Sequence, residues 1–384
     1  MKPNNVELKL LSEIMTLKDR LSQIRNGARD YDLSQLIRET NLHVFSRIPT
    51  LSPVHHLRAH TSKVHDVVWT PSDKFLITVG GEGLIVVWET QSGMINNVLD
   101  VSGVQPITAA ASDDARKLYC GGLCANVVLF TSQHRPAEDG YSEYETVLVY
   151  EHSGQVNCII RLDDSQLLTA ATSDGVLLWD AEQVKVVGRF PQKHSTVCCL
   201  SLMTTASQGA STFLTGASDG TIRLWDLRQP GTMVSQFESH ESDVSCLRPL
   251  PNGLNFVSGS EDTAIHLYDL RTDIVLSRFS DPQLPSQIHH PEDEIGQVTT
   301  QSDVVTAYQS ASVCDIAVSA SGRMLISGCK DSGLYYWDLI QQDRCVHRET
   351  ESGPVIRLAM SNQKHAMAML TWDAKSRIRI MRPR

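Results

Sequence analysis

No apolar stretch in these 384 residues approaches the ~18 needed for a membrane-spanning helix. Positive charge is also in deficit: 34 Lys and Arg stand against 44 Asp and Glu, a formal net charge of −10. Neutralising a nucleic-acid backbone requires a basic patch, so nucleic acid is not the expected partner. A Gly-rich phosphate loop is missing, because Gly80-Gly81 and Gly121-Gly122 fall in expected tight turns. The opening Met1-Lys2-Pro3-Asn4-Asn5 lacks the apolar core of a signal peptide. The nine cysteines are odd in number and show no framework spacing, which suits reduced thiols packed on strands in an intracellular protein. Cys120 and Cys124 form one close pair, with no neighbouring Cys or His pair to complete a zinc site. No metal, cofactor or catalytic residue is therefore expected.

What the chain does have is a repeat. Short hydrophobic runs close on an aromatic residue, usually followed by an acid, at Trp88, Trp179, Trp225, Tyr268 and Trp337, with weaker endings at Phe130 and Ile380. The steps between these seven anchors are 42, 49, 46, 43, 69 and 43 residues. A period of roughly 40–45 residues with four short strands per unit is the mark of a WD-repeat propeller. The expected fold is all-β, a seven-bladed propeller.

Histidines open several repeats (His60, His152, His194, His240), and an acid in a tight turn follows some twenty residues on (Glu82, Asp174, Asp219, Asp262). In a blade these groups meet. The turn carboxylate accepts from the imidazole, the imidazole bonds a strand hydroxyl, and the hydroxyl accepts from the anchor indole. Blade 1 would use His60, Thr78, Glu82 and Trp88, and blade 4 His194, Thr215, Asp219 and Trp225. His152, Asp174 and Trp179 belong to blade 3, and His240 and Asp262 to blade 5. A nucleophilic triad needs one nucleophile, one base and an oxyanion site. A constellation that recurs blade after blade is scaffolding, so no enzyme activity is expected. Blades 2, 6 and 7 lack the histidine and should rely on packing.

Residues 1–37 differ in kind from 38–384. Leu10, Ile14, Leu17, Leu21 and Ile24 are spaced 4, 3, 4 and 3, an a/d seam of a coiled-coil helix, and Asn26-Gly27 supplies a C-cap. Three heptads on a lone helix are marginal in water. The seam must bury against its own propeller, a second copy, or a helix of another polypeptide.

This leader followed by seven blades resembles the β subunit of heterotrimeric G proteins, as a divergent member. Leu17-Lys18-Asp19-Arg20 and Leu33-Ser34-Gln35-Leu36-Ile37 look like that family's N-terminal helix and the segment after it. Leu57-Arg58-Ala59-His60-Thr61-Ser62-Lys63-Val64 matches its opening of blade 1, and Cys120-Gly121-Gly122-Leu123 its blade 2 turn. The most specific stretch is Ser239-His240-Glu241-Ser242-Asp243-Val244 with Pro251-Asn252-Gly253 and Tyr268-Asp269-Leu270-Arg271. The resemblance implies a non-enzymatic signalling subunit. It would pair with a helical, lipidated γ subunit through the Leu10, Ile14, Leu17, Leu21, Ile24 seam, bind the GDP-loaded α subunit, and act on effectors. It would work in the cytoplasm and touch the plasma membrane only through γ.

Carried over residue by residue, the α- and effector-facing positions are Lys63, Leu123, Asp243 and Trp372. Four family positions differ: His65 replaces a tyrosine, Leu84 a lysine, Gln105 a tryptophan and Ala125 an asparagine. The resemblance therefore points to a matched, divergent α subunit. About 26 extra residues lie between blades 5 and 6, near 280–310, on the same face as Lys63 and Trp372; their His289-His290-Pro291-Glu292-Asp293-Glu294 run reads as a solvated loop. A second class of function stays open. Trp225-Asp226-Leu227-Arg228 and Tyr268-Asp269-Leu270-Arg271 also resemble the box by which WD proteins recruit substrates to cullin ubiquitin ligases, unless each arginine caps its own blade.

Overall fold

Four short antiparallel strands recur seven times around a central channel. The structure, a computed structural model, describes residues 51–384 apart from 137–141, 193–194, 206–207, 239, 273, 280–311, 331–332, 340–344, 350–352, 373–376 and 384. The described residues belong to one unit, Pro49–Arg384. The N-terminal seam, His194 and the insertion near 280–310 lie outside them.

Blade 1 runs from the channel outward as Val64–Trp69, Phe75–Gly80, Leu84–Glu89 and Ile95–Asp100. The next five blades repeat this order, and their inner strands are Pro106–Ala111, Val156–Arg161, Val197–Thr205, Val244–Pro249 and Val313–Val318. Blade 7 breaks the sequence order. Its inner three strands are Val355–Met360, Met367–Thr371 and Arg377–Pro383, while its outermost strand is Leu51–Leu57 from the start of the unit. Leu57 pairs with Ile378 and Leu51 with Pro383, so the two ends of the propeller are stitched into one sheet. A closed ring is one way all-β folds limit exposed edges.

The middle strands are apolar on both faces because each blade is covered by a neighbour on each side. Leu84-Ile85-Val86-Val87-Trp88 is such a run, with Ile85 to Trp88 buried. The core therefore lies between blades: Ile77, Val79, Ile85 and Val87 of blade 1 pack against Leu118, Cys120 and Phe130 of blade 2. Outer strands alternate instead, and Val147, Val149, Val187 and Val234 on them are exposed. Each inner strand carries a bulge at its second residue, as between Val64 and Asp66, Val313 and Asp315, or Val355 and Arg357. Bulges re-aim side chains, and here the residue after the bulge lines the channel. Among the described residues no helix is long and apolar enough to cross a membrane. All nine cysteines are free thiols, and burial pushes those of Cys120 and Cys246 up to about 12.

Candidate protein-interaction face

The blade interiors hold the histidine networks, and they are not equal. In blade 1 His60 Nδ1 bonds Glu82 Oε1 at 2.5 Å. His60 Nε2 bonds the Thr78 hydroxyl at 2.7 Å, and Trp88 Nε1–H donates to Thr78 Oγ1 at 3.0 Å. Ser62 adds its backbone N–H and its hydroxyl to Glu82. Burial alone would raise the Glu82 carboxyl, but the bonds from Ser62 and His60 outweigh it and hold it below the usual range.

Blade 5 repeats the first half. His240 bonds Asp262 at 2.8 Å and Ser258 at 2.6 Å. Burial opposes ionisation of Asp262, yet the His240 bond and charge bring it down to about 2. The anchor is Tyr268, stacked on Phe256, and the space above His240 is filled by His266, stacked at 4.1 Å with rings 9° apart.

Blade 3 departs from the expected arrangement, while the His194 part of the blade 4 network lies outside the described residues. His152 Nδ1 lies 3.3 Å from Asp174, but neither ring nitrogen makes a hydrogen bond. The ring stands edge-on to Trp179, 5.4 Å between centroids, and Asp174 accepts instead from the Ser153 backbone N–H. Burial consequently lowers the His152 pKa despite the neighbouring Asp174. In blade 4 Asp219 accepts from Thr221 and Arg223, which with Ser195 outweigh burial and bring it to about 2. Trp225 Nε1–H still reaches Thr215 at 3.1 Å. Thr169, Ser258 and Ser327 occupy the Thr78 position in blades 3, 5 and 6, ten residues before each anchor, a spacing readable in the sequence. Trp179 and Trp337 donate to Thr169 and Ser327. Blade 2 has Cys120 and Phe130 where blade 1 has Thr78 and Trp88, an apolar exchange of the same pair.

The candidate docking residues occupy two equivalent rings around one mouth of the channel. In every blade the residue just before the inner strand accepts a backbone hydrogen bond from the first residue of the turn after the second strand. The acceptors are Lys63, Gln105, Gln155, Thr196, Asp243, Ser312 and Pro354; the donors are Gly81, Leu123, Thr172, Ser218, Glu261, Lys330 and Trp372. Lys63 and Asp243 are thus the same position in blades 1 and 5, and Leu123 and Trp372 the same position in blades 2 and 7. Trp372 is 54% exposed and Leu123 55%, so neither serves the core.

The structure brings Lys63 and Trp372 together, with the ammonium 4.4 Å from the ring centroid. Leu123 and Asp243 share the face but stand in other blades. Asp243 sits near Glu261, which pairs with Lys330 at 2.9 Å; burial and Glu261 raise the Asp243 carboxyl. Glu261 and Lys330 belong to the donor ring and were not among the sequence candidates. His65 is half-buried, and burial first, then the Lys63 cation, lower its pKa. Gln105 adopts a left-handed conformation (φ 49°), and a Cβ at Gly122 would strike its carbonyl oxygen. Ala125 is left-handed as well (φ 56°), a place where asparagine sits more easily than alanine. The two box arginines fold back on their own blades: Arg228 pairs with Asp226 and Arg271 with Asp269, each at 2.6 Å.

Seven four-stranded blades joined by a shared closing sheet, with Trp–Thr/Ser bonds inside them, define a WD-repeat propeller. The family model described as WD domain, G-beta repeat matches residues 51–89, 185–226, 231–269 and 300–338. Similarity to proteins named guanine nucleotide-binding protein subunit beta runs along almost the whole chain. The protein of Oryza sativa subsp. japonica is 25% identical over 96% of this chain and 93% of its own length. That of Arabidopsis thaliana is 26% identical over 95% and 93%, and that of Saccharomyces cerevisiae 24% over 95% and 88%. The chain is a WD-repeat propeller that is similar, along almost its whole length and at low identity, to proteins named as G-protein β subunits.

Proposed function

We propose that this chain serves as the β subunit of a heterotrimeric G protein. It forms an obligate dimer with a helical, lipidated γ subunit along Leu10, Ile14, Leu17, Leu21 and Ile24. It binds the GDP-bound α subunit through the ring face that carries Lys63, Leu123, Asp243 and Trp372, and it transmits receptor signals to effectors. Residues 1–37 act as the γ-binding module, and the insertion near 280–310 borders the α-facing surface. The protein works in the cytoplasm, reaches the inner face of the plasma membrane through γ, and has no turnover of its own.

The observation that carries this reading is similarity to named β subunits over 96% of the chain. A repeat match alone would support only a propeller. The exposed Lys63–Trp372 pair supports the choice of face, because an aromatic released from core duty suits a partner pocket. Leu84, Gln105 and Ala125 support a matched, divergent α subunit. The pairing of Arg228 and Arg271 with their own aspartates favours local caps over a ligase-recruiting box. Affinity purification with mass spectrometry tests the proposal. The expected partners are a short helical chain ending in a prenylation motif and an α subunit. Recovery of a ligase adaptor without such a chain would overturn it.

A further inference from the structure

Each inner strand enters the channel at the Lys63 face and leaves at the opposite one, and the exit is charged. The channel holds a cavity of 440 Å³, within the ~300–1,000 Å³ usual for small-molecule sites. Its ionic lining is Arg161, Arg248, Arg357 and Lys364 against Asp66 and Asp315, four cations to two carboxylates. Arg357 lies between the two aspartates, 3.6 Å from Asp66 and 4.0 Å from Asp315, while Arg248 reaches Asp315 at 2.6 Å. Those four groups neutralise one another in the wall.

Two cations at the exit remain. Arg161 ends its inner strand and gives one nitrogen to the exposed Asp164, while its buried Nε has no hydrogen bond. Lys364 stands in the turn after the inner strand of blade 7 in a left-handed conformation (φ 60°). Burial first, and then Arg248, lower its pKa, with Asp73 opposing. In the channel lining no carboxylate is left to match these two partly buried cations, and in a chain of net charge −10 they do not arise from a general basic surface.

We propose that this exit of the channel binds a compact, multiply phosphorylated anion, with Arg161 and Lys364 as its ligands. Guanidinium forks match phosphate oxygens two at a time, and the lysine adds a point charge. The site lies on the face opposite Lys63 and Trp372, so the ligand and a partner on the ring face would be held together.

The test is calorimetric titration of the full-length protein with sodium tripolyphosphate at physiological salt, alongside flotation with phosphatidylcholine vesicles that do or do not contain phosphatidylinositol bisphosphate. Saturable one-to-one binding is expected, weakened at least tenfold by Lys364→Glu. It should be unchanged by Lys185→Glu, the same charge reversal on the outer strand of blade 3. Arg161→Gln, which keeps much of the side-chain volume, should weaken binding as well and serves if Lys364→Glu fails to fold. Binding of soluble tripolyphosphate assigns the site to a free metabolite. Binding confined to the phosphoinositide vesicles, and lost with Lys364→Glu, assigns it to a lipid headgroup. No binding of either probe, or equal loss with Lys185→Glu, overturns the proposal.

Discussion

The Lys63 ammonium rests 4.4 Å from the centre of the Trp372 ring, joining blade 1 to blade 7 at the seam where the propeller closes. An exposed cation–π contact contributes ~0.5–1 kcal/mol, too little to be needed for a fold with this much buried sheet. Its effect is to hold a large aromatic in a fixed pose on the surface. Trp372→Ala should weaken binding of a GDP-loaded α subunit at least tenfold, about 1.4 kcal/mol, with the melting temperature unchanged. Lys63→Ala should cost less. The double variant should cost less than the sum, because one residue positions the other. Titration of the βγ dimer with each variant checks this. Full affinity in Trp372→Ala would remove the face from the account.

The γ seam requires a separate experiment. Replacing Ile14, Leu17 and Leu21 by aspartate should abolish co-purification with a short helical partner. A carboxylate on a buried seam has no cation to pair with and must be desolvated. Circular dichroism should keep the strand signal of the propeller, whose seven described sheets are built from residues 51–383. Retention of the partner by the triple variant would disprove the seam assignment.

Much of the fold was readable because the anchor spacing repeats, and most anchors sit in a run buried on both faces, as Ile85 to Trp88 are. The closing strand Leu51–Leu57 gave a weaker signal, since Val54 is exposed and its pairing partner is more than three hundred residues away. The networks were readable in type and less so in detail. His152 has the right sequence position, but whether its ring meets Thr169 depends on a tilt that no spacing encodes. The channel charges escaped the sequence reading entirely. Asp66, Asp315 and Arg357 come from three blades, and only the inner-strand bulges turn them toward one another.

The uneven networks predict an order of stability losses. His60→Ala takes one hydrogen bond each from Thr78 and Glu82, which keep only those with Trp88 and Ser62, and should cost ~1–3 kcal/mol. His152→Ala removes a ring whose nitrogens make no hydrogen bond, so it forfeits mainly packing against Trp179 and should cost less. Thermal midpoints of the two variants decide the order. A larger loss for His152→Ala would show that packing, rather than hydrogen bonding, carries the histidine's contribution.

Blade 5 should make the protein acid-sensitive in two separable windows. His266 is buried against His240, with Asp262 and Arg278 also facing it; burial first, and then His240, take its pKa from 6.5 to about 3. Below pH 6.5 the unfolded chain therefore gains a proton that the folded chain refuses, so stability falls as pH drops toward 3. Asp262 works lower down. Its folded value of about 2 lies below the ordinary 3.8, so its contribution is intact above 3.8 and is lost as pH falls through 2. His266→Phe keeps a ring to stack on His240 and removes the titrating group. It should reduce the fall in melting temperature between pH 7 and pH 5. The fall should not vanish, because His152 and His65 are shifted in the same direction. Asp262→Asn should lower stability at neutral pH, since it takes the charge from the His240 bond, yet leave the slope between pH 7 and pH 5 intact. A His266→Phe variant with the parental slope would place the proton uptake on the other buried histidines.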